Sequence, residues 1–247
     1  MKVPIFSSFL LIILFFSAER LTAQFRLDVE SGALFYGYNR IQVPGNEGTR
    51  FALDNRYTTS GRFFYRIKAL YTLNDKHTFA ALFAPLDIRS IGTPDTDIDF
   101  AGSRFMSGNA LDVLYQFNSY RLTYRYLFPR NGDFIFGIGA TAKVRDAKIR
   151  LTSQDMAAEK VNLGFVPLIN FRIEWMMKEK LSLLLQGDAL VSRQGRAEDV
   201  LLAFMFYPSR LVTLKAGYRI LEGGADNEEV YNYSLIHYAL IGGIIRF

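Results

Sequence analysis

After residue 24 the chain alternates between apolar and polar side chains with a period of two, and no helical period is sustained. In residues 161–175, for example, large apolar side chains fill the odd positions, while Asn162, Arg172 and Glu174 lie on even positions. Similar segments cover residues 62–72, 119–128, 134–145 and 212–220. Each is at least about 9 residues long, which is what a tilted strand needs to cross the hydrocarbon of a membrane. The pattern predicts an all-β fold.

Two all-β architectures fit this alternation, and they place the apolar face differently. In a soluble sandwich the apolar face is the core, whereas in a transmembrane barrel it meets lipid and the charged face lines the interior. Aromatic side chains such as Tyr120, Phe128 and Trp175 lie at strand ends, where the interfacial girdles of a barrel are found. This placement favours the barrel.

The last segment, residues 231–247, keeps the alternation up to the final residue. Phe247, Ile245 and Ile241 lie on its apolar face, although soluble domains usually end in a polar, frayed tail. This ending resembles the C-terminal signal of bacterial outer-membrane β-barrels, whose last strand ends in Phe and is read by the barrel-assembly machinery. The resemblance implies that these three residues form an assembly signal. It also implies a location in the outer membrane of a Gram-negative bacterium.

The N-terminus agrees with export. Lys2 is followed by a mostly apolar run at residues 3–18, and Ala23 suits the position before a cleavage site. The run is shorter than the roughly 20 residues of a membrane-spanning helix. We predict a signal peptide at residues 1–23 and one barrel domain at residues 24–247, with an uncleaved anchor helix as the alternative. The chain has no cysteine, which excludes disulfides and lipoprotein acylation.

The polar connections between the segments set the number of strands. Short connections, suited to periplasmic turns, lie at residues 73–77, 129–133, 177–180 and 207–210. Longer connections, suited to the outer face, lie at residues 40–60, 89–107, 152–160, 193–198 and 222–229. They predict a single transmembrane, antiparallel up-and-down β-barrel of ten strands with both ends in the periplasm; eight or twelve strands remain alternatives. This count treats residues 108–129 as one long strand whose apolar set changes face near Asn118, where the strand leaves the lipid.

Four internal runs carry a second resemblance, at residues 117–126, 140–147, 194–200 and 217–226. They are similar to a set of uncharacterised exported proteins that are presumed to be outer-membrane barrels. That resemblance supports the barrel fold and the outer-membrane location, and it implies no particular activity.

The net charge of the sequence bears on which molecules the protein could bind. The sequence has a pI of about 9.3 and a formal charge of +5, which in a cytosolic protein would raise the question of nucleic acid. Export argues against nucleic acid, so we expect outer-membrane lipids, lipopolysaccharide and the barrel-assembly machinery as partners. No oligomeric state follows from the sequence, and we expect no cofactor and no metal because none of their binding motifs is present.

If the polar faces point inward, the interior collects an excess of basic side chains. The lumen-facing candidates are Arg62, Arg66, Lys68, Arg121, Arg125, Lys143, Arg145, Arg172, Glu174, Asp188, Lys215 and Arg219. In one interpretation the basic groups pair with carboxylates, including Asp28 and Glu30, and fill a narrow barrel as a solid plug. In the other, the surplus charge attracts anions to a pore or to a binding pocket.

The sequence favours a non-enzymatic barrel, either structural or a narrow element for transport or binding with a basic lumen. The alternative is an outer-membrane hydrolase, a lipid deacylase or a protease, with its site at the extracellular rim. The chain has only two histidines: His77 lies at a predicted periplasmic turn, and His237 falls on the lipid-facing side of its strand. Carboxylate oxygens of residues 222–229, together with residues 198–199, could hold a cation, but these residues lack the spacing of a calcium loop.

Overall fold

The computed structural model describes residues 23–53, 56–60, 63–154, 156–192 and 195–247. The predicted signal peptide lies outside these residues, apart from Ala23, at which the first strand begins. Arg62, one of the lumen-facing candidates, also lies outside them. No helix in the described part of the chain is long and apolar enough to cross a membrane.

The described residues fold into antiparallel β-strands, as the period of two predicts. In chain order the strands are β1 (Ala23–Gln42), β2 (Phe51–Ala52), β3 (Tyr57–Ser60), β4 (Phe63–Leu73), β5 (His77–Ala84), β6 (Asp87–Gly92), β7 (Ile98–Phe100), β8 (Ser103–Phe105), β9 (Leu111–Leu127), β10 (Phe134–Ser153), β11 (Met156–Lys178), β12 (Leu181–Ser192), β13 (Gly195–Phe206), β14 (Val212–Asp226) and β15 (Tyr231–Arg246). β7 and β8 form a separate hairpin, and the other strands join one sheet.

Ten of these strands close into a barrel, namely β1, β4, β5 and β9 to β15. β1 pairs with β15, and β9 pairs with both β5 and β10, so no edge of the ten-stranded wall is left open. The short strands β3 and β6 pair with each other, and β6 also pairs with β9, which extends the wall beyond β4 and β5. The predicted ten-stranded, antiparallel up-and-down barrel is confirmed.

The two ends of the barrel differ in their connections. Ala23 and Phe247 lie at the same end, which we call the terminal end, and the connections there are as short as predicted. At the opposite end, the loop end, the described residues of three connections predicted to be long are instead mostly strand; the predicted connections were residues 152–160, 193–198 and 222–229. That prediction was wrong because polar composition alone does not end a strand. Pairing with a neighbouring strand satisfies the backbone N–H and C=O groups whether the side chains are polar or apolar.

The polarity of the barrel wall reverses along strand β9. Towards the terminal end, Leu122 faces outward and is 68% exposed, whereas its neighbour Arg121 faces inward and is buried. Towards the loop end, Leu111 and Val113 are buried inside the barrel. The predicted change of the apolar set near Asn118 is therefore confirmed. A barrel wall in hydrocarbon has apolar side chains on its outside, whereas a barrel wall in water has them on its inside. The loop end therefore has the polarity of a barrel that projects above a membrane.

Two connections fold over the loop end and fill it with apolar side chains. Residues 43–53 and the β7–β8 hairpin are joined by backbone hydrogen bonds, including one of 3.0 Å from Ala101 N to the carbonyl oxygen of Val43. Phe100 and Phe105 of the hairpin are almost completely buried and belong to the same apolar core as Ile88 of β6 and Val113 of β9. We call residues 43–53 and the β7–β8 hairpin the apolar lid, because they occupy the interior at the loop end.

Candidate functional site

Four basic and four acidic side chains meet inside the barrel and pair with one another. We call this group the charged plug, and its members are Asp28, Glu30, Arg66, Arg121, Asp188, Asp199, Lys215 and Arg219. Each member is at most 8% exposed. They share the lumen because each occupies an inward-facing position, and alternate residues of a strand face the same side.

Asp199 is the centre of the charged plug. Its Oδ2 lies 2.7 Å from Nη2 of Arg121 and 2.9 Å from Nη2 of Arg66, and Arg219 donates to its Oδ1. The grouping of Asp199 with the acidic residues 222–229, which the sequence suggests, is wrong, because Asp199 is buried inside the barrel. The signal that assigns it to the interior is parity: Phe204 is exposed on the outer wall of the same strand, so odd positions of that strand face inward.

The rest of the charged plug is paired just as closely. Glu30 accepts from Nη2 of Arg219 at 2.8 Å and from Nζ of Lys215 at 2.6 Å. Asp188 lies 2.7 Å from Nη1 of Arg121 and also accepts from the Thr141 hydroxyl at 2.7 Å. These are charge-assisted hydrogen bonds, and the equal numbers of basic and acidic groups leave the plug close to electrically neutral.

The remaining basic candidates lie beside the plug or towards the loop end. Lys68 lines a cavity of about 30 Å³ next to the plug. Lys143 and Arg145 line a second cavity, of about 70 Å³, on the loop-end side. Lys143 is 2% exposed, has no carboxylate partner among the described residues, and holds its Nζ 4.7 Å from the centre of the Phe117 ring. Arg145 donates a hydrogen bond to the Asn162 side chain.

A larger cavity, of about 790 Å³, lies at the terminal end among the short turns, and we call it the terminal-end vestibule. Three of the candidates line it: Arg125, Arg172 and Glu174. Glu174 accepts from Nη2 of Arg172 and from the Ser182 hydroxyl, both at 2.6 Å. Arg125 donates to the side-chain oxygen of Asn170 at 3.3 Å.

In the described part of the chain, the hydrogen-bond partners of both histidines are tyrosine hydroxyls, and neither histidine is bonded to a serine or a carboxylate. His237 shares a hydrogen bond with the Tyr218 hydroxyl and stacks on Phe35, with ring centres 5.0 Å apart, on the outer wall. Ser234 faces inward instead, as the alternation predicts, and its hydroxyl lies 3.1 Å from the Tyr115 hydroxyl. His77 shares a hydrogen bond of 2.9 Å with a tyrosine hydroxyl near the terminal end.

Two acidic residues of the loop end, Glu222 and Glu229, are bonded to basic side chains. Glu222 accepts from Nε of Arg196 at 2.8 Å, and Glu229 accepts from Nζ of Lys160 at 2.9 Å. Among the described residues, no three His, Cys, Asp or Glu side chains converge as ligands of a metal ion would. These carboxylates therefore act as ion-pair partners in the wall.

The three residues of the expected assembly signal lie on the outer wall of β15 and at its end. Phe247 is 72% exposed, Ile245 is 46% exposed and Ile241 is 68% exposed. The only ring contact of Phe247 among the described residues is with Phe25 of β1, at 5.7 Å between ring centres. Its backbone N–H also donates to the carbonyl oxygen of Phe25 at 2.9 Å. The side chain thus contributes little to the packing of the barrel.

No protein-family model matches the chain, and no curated protein sequence matches it. The fold is similar to solved outer-membrane barrels. The outer membrane protease OmpT from Escherichia coli aligns over 94% of this chain and 100% of its own, with a TM-score of 0.53 and 9% identity. Ail, the attachment invasion locus protein of Yersinia pestis, aligns over 90% and 99%, with a TM-score of 0.39 and 11% identity. An outer membrane channel from Pseudomonas putida F1 aligns over 91% and 95%, with a TM-score of 0.44 and 7% identity.

The likeness to OmpT shows that this chain has the fold of an outer-membrane β-barrel. At 9% identity the likeness extends to the fold alone. A fold alone does not determine a function, which depends on the lumen and the outer wall of this chain.

Proposed function

We propose that this chain is an integral outer-membrane barrel with a closed lumen, and that it acts as a non-enzymatic scaffold and not as an open pore. Both termini of the barrel domain would lie in the periplasm, so the terminal-end vestibule faces the periplasm and the apolar lid faces outward. Large apolar side chains on the outer wall support the membrane location, because they would be costly to expose to water over such an area.

The observation that carries the closed lumen is the charged plug. Its eight side chains cross the interior and bond to one another, and Asp199 alone joins three arginines from different strands. Because these groups already have partners, a passing ion would have to displace strong hydrogen bonds in a space of low dielectric constant. The apolar lid adds a second obstruction towards the loop end.

The location predicts a specific behaviour in fractionation. We expect the protein to stay with membranes after an alkaline wash and to migrate differently on a gel when it is boiled and when it is not boiled. A closed barrel keeps its ladder in detergent until it is heated, because the ladder has no edge at which to open. Release into the soluble fraction without heat-dependent migration would favour the soluble sandwich instead.

A closed lumen predicts that the protein does not conduct ions across a bilayer. We expect no conductance steps when the folded protein is inserted into planar bilayers with anion and cation gradients, with a porin reconstituted in the same way as the positive control. Anion-selective steps that disappear in Arg121→Glu with Lys215→Glu would contradict the proposal and indicate a pore. Hydrolysis of outer-membrane lipids or peptides that is abolished by His237→Ala would instead identify an enzyme.

A further inference from the structure

The terminal-end vestibule holds far more positive than negative charge. Seven arginine and lysine side chains line it, against two glutamates, in a cavity of about 790 Å³. The charged plug beside it has equal numbers of acidic and basic side chains, so it supplies no net negative charge to the vestibule. A concave space with one sign of charge and walls of low dielectric constant concentrates ions of the opposite sign.

Both oxygens of Glu174, the buried carboxylate of the vestibule, already accept hydrogen bonds. Oε2 of Glu174 accepts from Arg172, and Oε1 accepts from both the Ser182 and the Tyr207 hydroxyls. The second glutamate, Glu179, is exposed in a turn and forms no ion pair with another described residue. Glu174 therefore neutralises Arg172. Arg130 lies 3.8 Å from Asp133, and the other guanidinium groups of the vestibule form no ion pair with a described carboxylate.

Four arginines of the vestibule have no carboxylate within ion-pair distance among the described residues: Arg210 and a group of three, Arg26, Arg125 and Arg246. Arg125 is only 6% exposed, and the Nε atom of each of the three is buried without a hydrogen-bond partner. Arg26 and Arg246 also lie directly opposite each other on β1 and β15, an arrangement of like charges that destabilises a sheet.

The neutral contacts of these arginines hold the side chains without cancelling their charge. Nη2 of Arg26 donates to the Thr72 hydroxyl at 2.7 Å, and Nη1 of Arg125 donates to Asn170 at 3.3 Å. A guanidinium group stays protonated, so it cannot relieve the repulsion by losing a proton as a buried lysine can. An anion with several charged oxygens relieves it, because each arginine offers a planar pair of donors to such oxygens.

We propose that the terminal-end vestibule is a binding site for a multivalent phosphate, such as a pyrophosphate or a phosphate monoester. A carboxylate carries one charge, whereas a phosphate group carries up to two charges over three oxygens, which suits a cavity lined by Arg26, Arg125 and Arg246. The cavity of about 790 Å³ has room for a group attached to the phosphate. The site goes beyond the proposed scaffold function and needs no open pore, since it lies on one side of the charged plug.

The test is calorimetric titration of the folded protein with inorganic pyrophosphate in a zwitterionic detergent. We expect saturable binding that weakens as salt is added and that weakens about tenfold in Arg125→Gln, the loss expected for one charge-assisted hydrogen bond. Arg150→Gln is the matched control, because it removes the same charge from an exposed position of β10 near the loop end. Heat-dependent migration on gels verifies that each variant is folded, and Arg246→Gln replaces Arg125→Gln if the latter does not fold.

A second arm of the experiment separates a free phosphate from a lipid headgroup. The protein is reconstituted in phosphatidylcholine vesicles with and without phosphatidic acid, and pyrophosphate binding is measured in both. Binding of pyrophosphate in both vesicles supports a soluble ligand. Binding that phosphatidic acid abolishes supports a headgroup as the occupant. Absence of saturable binding to either phosphate, or equal weakening in Arg150→Gln and Arg125→Gln, overturns the proposal.

Discussion

Replacing Asp199 by Asn is expected to destabilise the folded barrel by about 3–5 kcal/mol, the usual cost of removing one partner of a buried ion pair. Asp199 is 2% exposed and pairs with Arg66, Arg121 and Arg219. The amide cannot offset three guanidinium charges, and it brings its own donor to face theirs. The loss should therefore lie at the upper end of that range.

The measurement is urea unfolding of the protein in lipid vesicles, followed by the loss of the fast-migrating form on unboiled gels. Asp95→Asn is the matched control, because the Asp95 side chain is 68% exposed and its ion pair with Arg56 lies on the surface. An exposed pair is worth about 0–1 kcal/mol, so the control should change the unfolding midpoint little. Equal effects of the two substitutions would show that the charged plug does not stabilise the barrel.

A second substitution tests whether the cost comes from uncompensated charge. Arg66→Gln removes one of the three guanidinium groups that lose a carboxylate partner in Asp199→Asn. We expect the double variant to be less destabilised than the sum of the two single variants, because residues that share an ion-pair network do not act independently. If the losses of stability in the two single variants simply add up in the double variant, the two side chains contribute through packing and not through their charges.

The sequence was sufficient to predict the barrel fold because the side chains of the outer wall follow a simple alternation. Apolar residues on alternate positions, as in residues 161–175, predict which side chains face outward, and the structure exposes Leu163 and Phe165 at 73% and 68%. The count of ten strands also follows, since each short connection reverses the chain. The predicted change of polarity near Asn118 depends on the same alternation.

The pairing inside the lumen could not be predicted in the same way. Alternation tells which face a residue occupies, whereas an ion pair also requires two residues to lie at the same height on different strands. Arg66 and Asp199 are 133 positions apart in the sequence, and only the closed ladder brings them together. The apolar lid could not be predicted for a related reason. Residues 43–53 have no regular hydrophobic period, so their burial depends on which other parts of the chain they contact.

Deleting Phe247 is expected to abolish most insertion into the outer membrane in cells while leaving the intrinsic stability of the folded barrel nearly unchanged. The side chain is 72% exposed and has one aromatic neighbour, Phe25. An aromatic pair contributes about 0.5–1.5 kcal/mol beyond its buried area, which is too little to unfold a barrel of this size. A large loss of insertion must then come from recognition of the terminal strand by the assembly machinery.

Two measurements on matched variants separate recognition from stability. The first is the amount of heat-modifiable protein in outer-membrane fractions, and the second is folding of purified chains into lipid vesicles without any assembly machinery. Phe25→Ala is the control, because it removes the same ring contact and leaves the terminal aromatic residue in place. We expect Phe25→Ala to insert in cells nearly as well as the parent chain, and the Phe247 deletion to fold in vesicles but fail in cells. Parent-like insertion of the deletion variant in cells, or an equal defect in both variants, would show that Phe247 serves packing and not assembly.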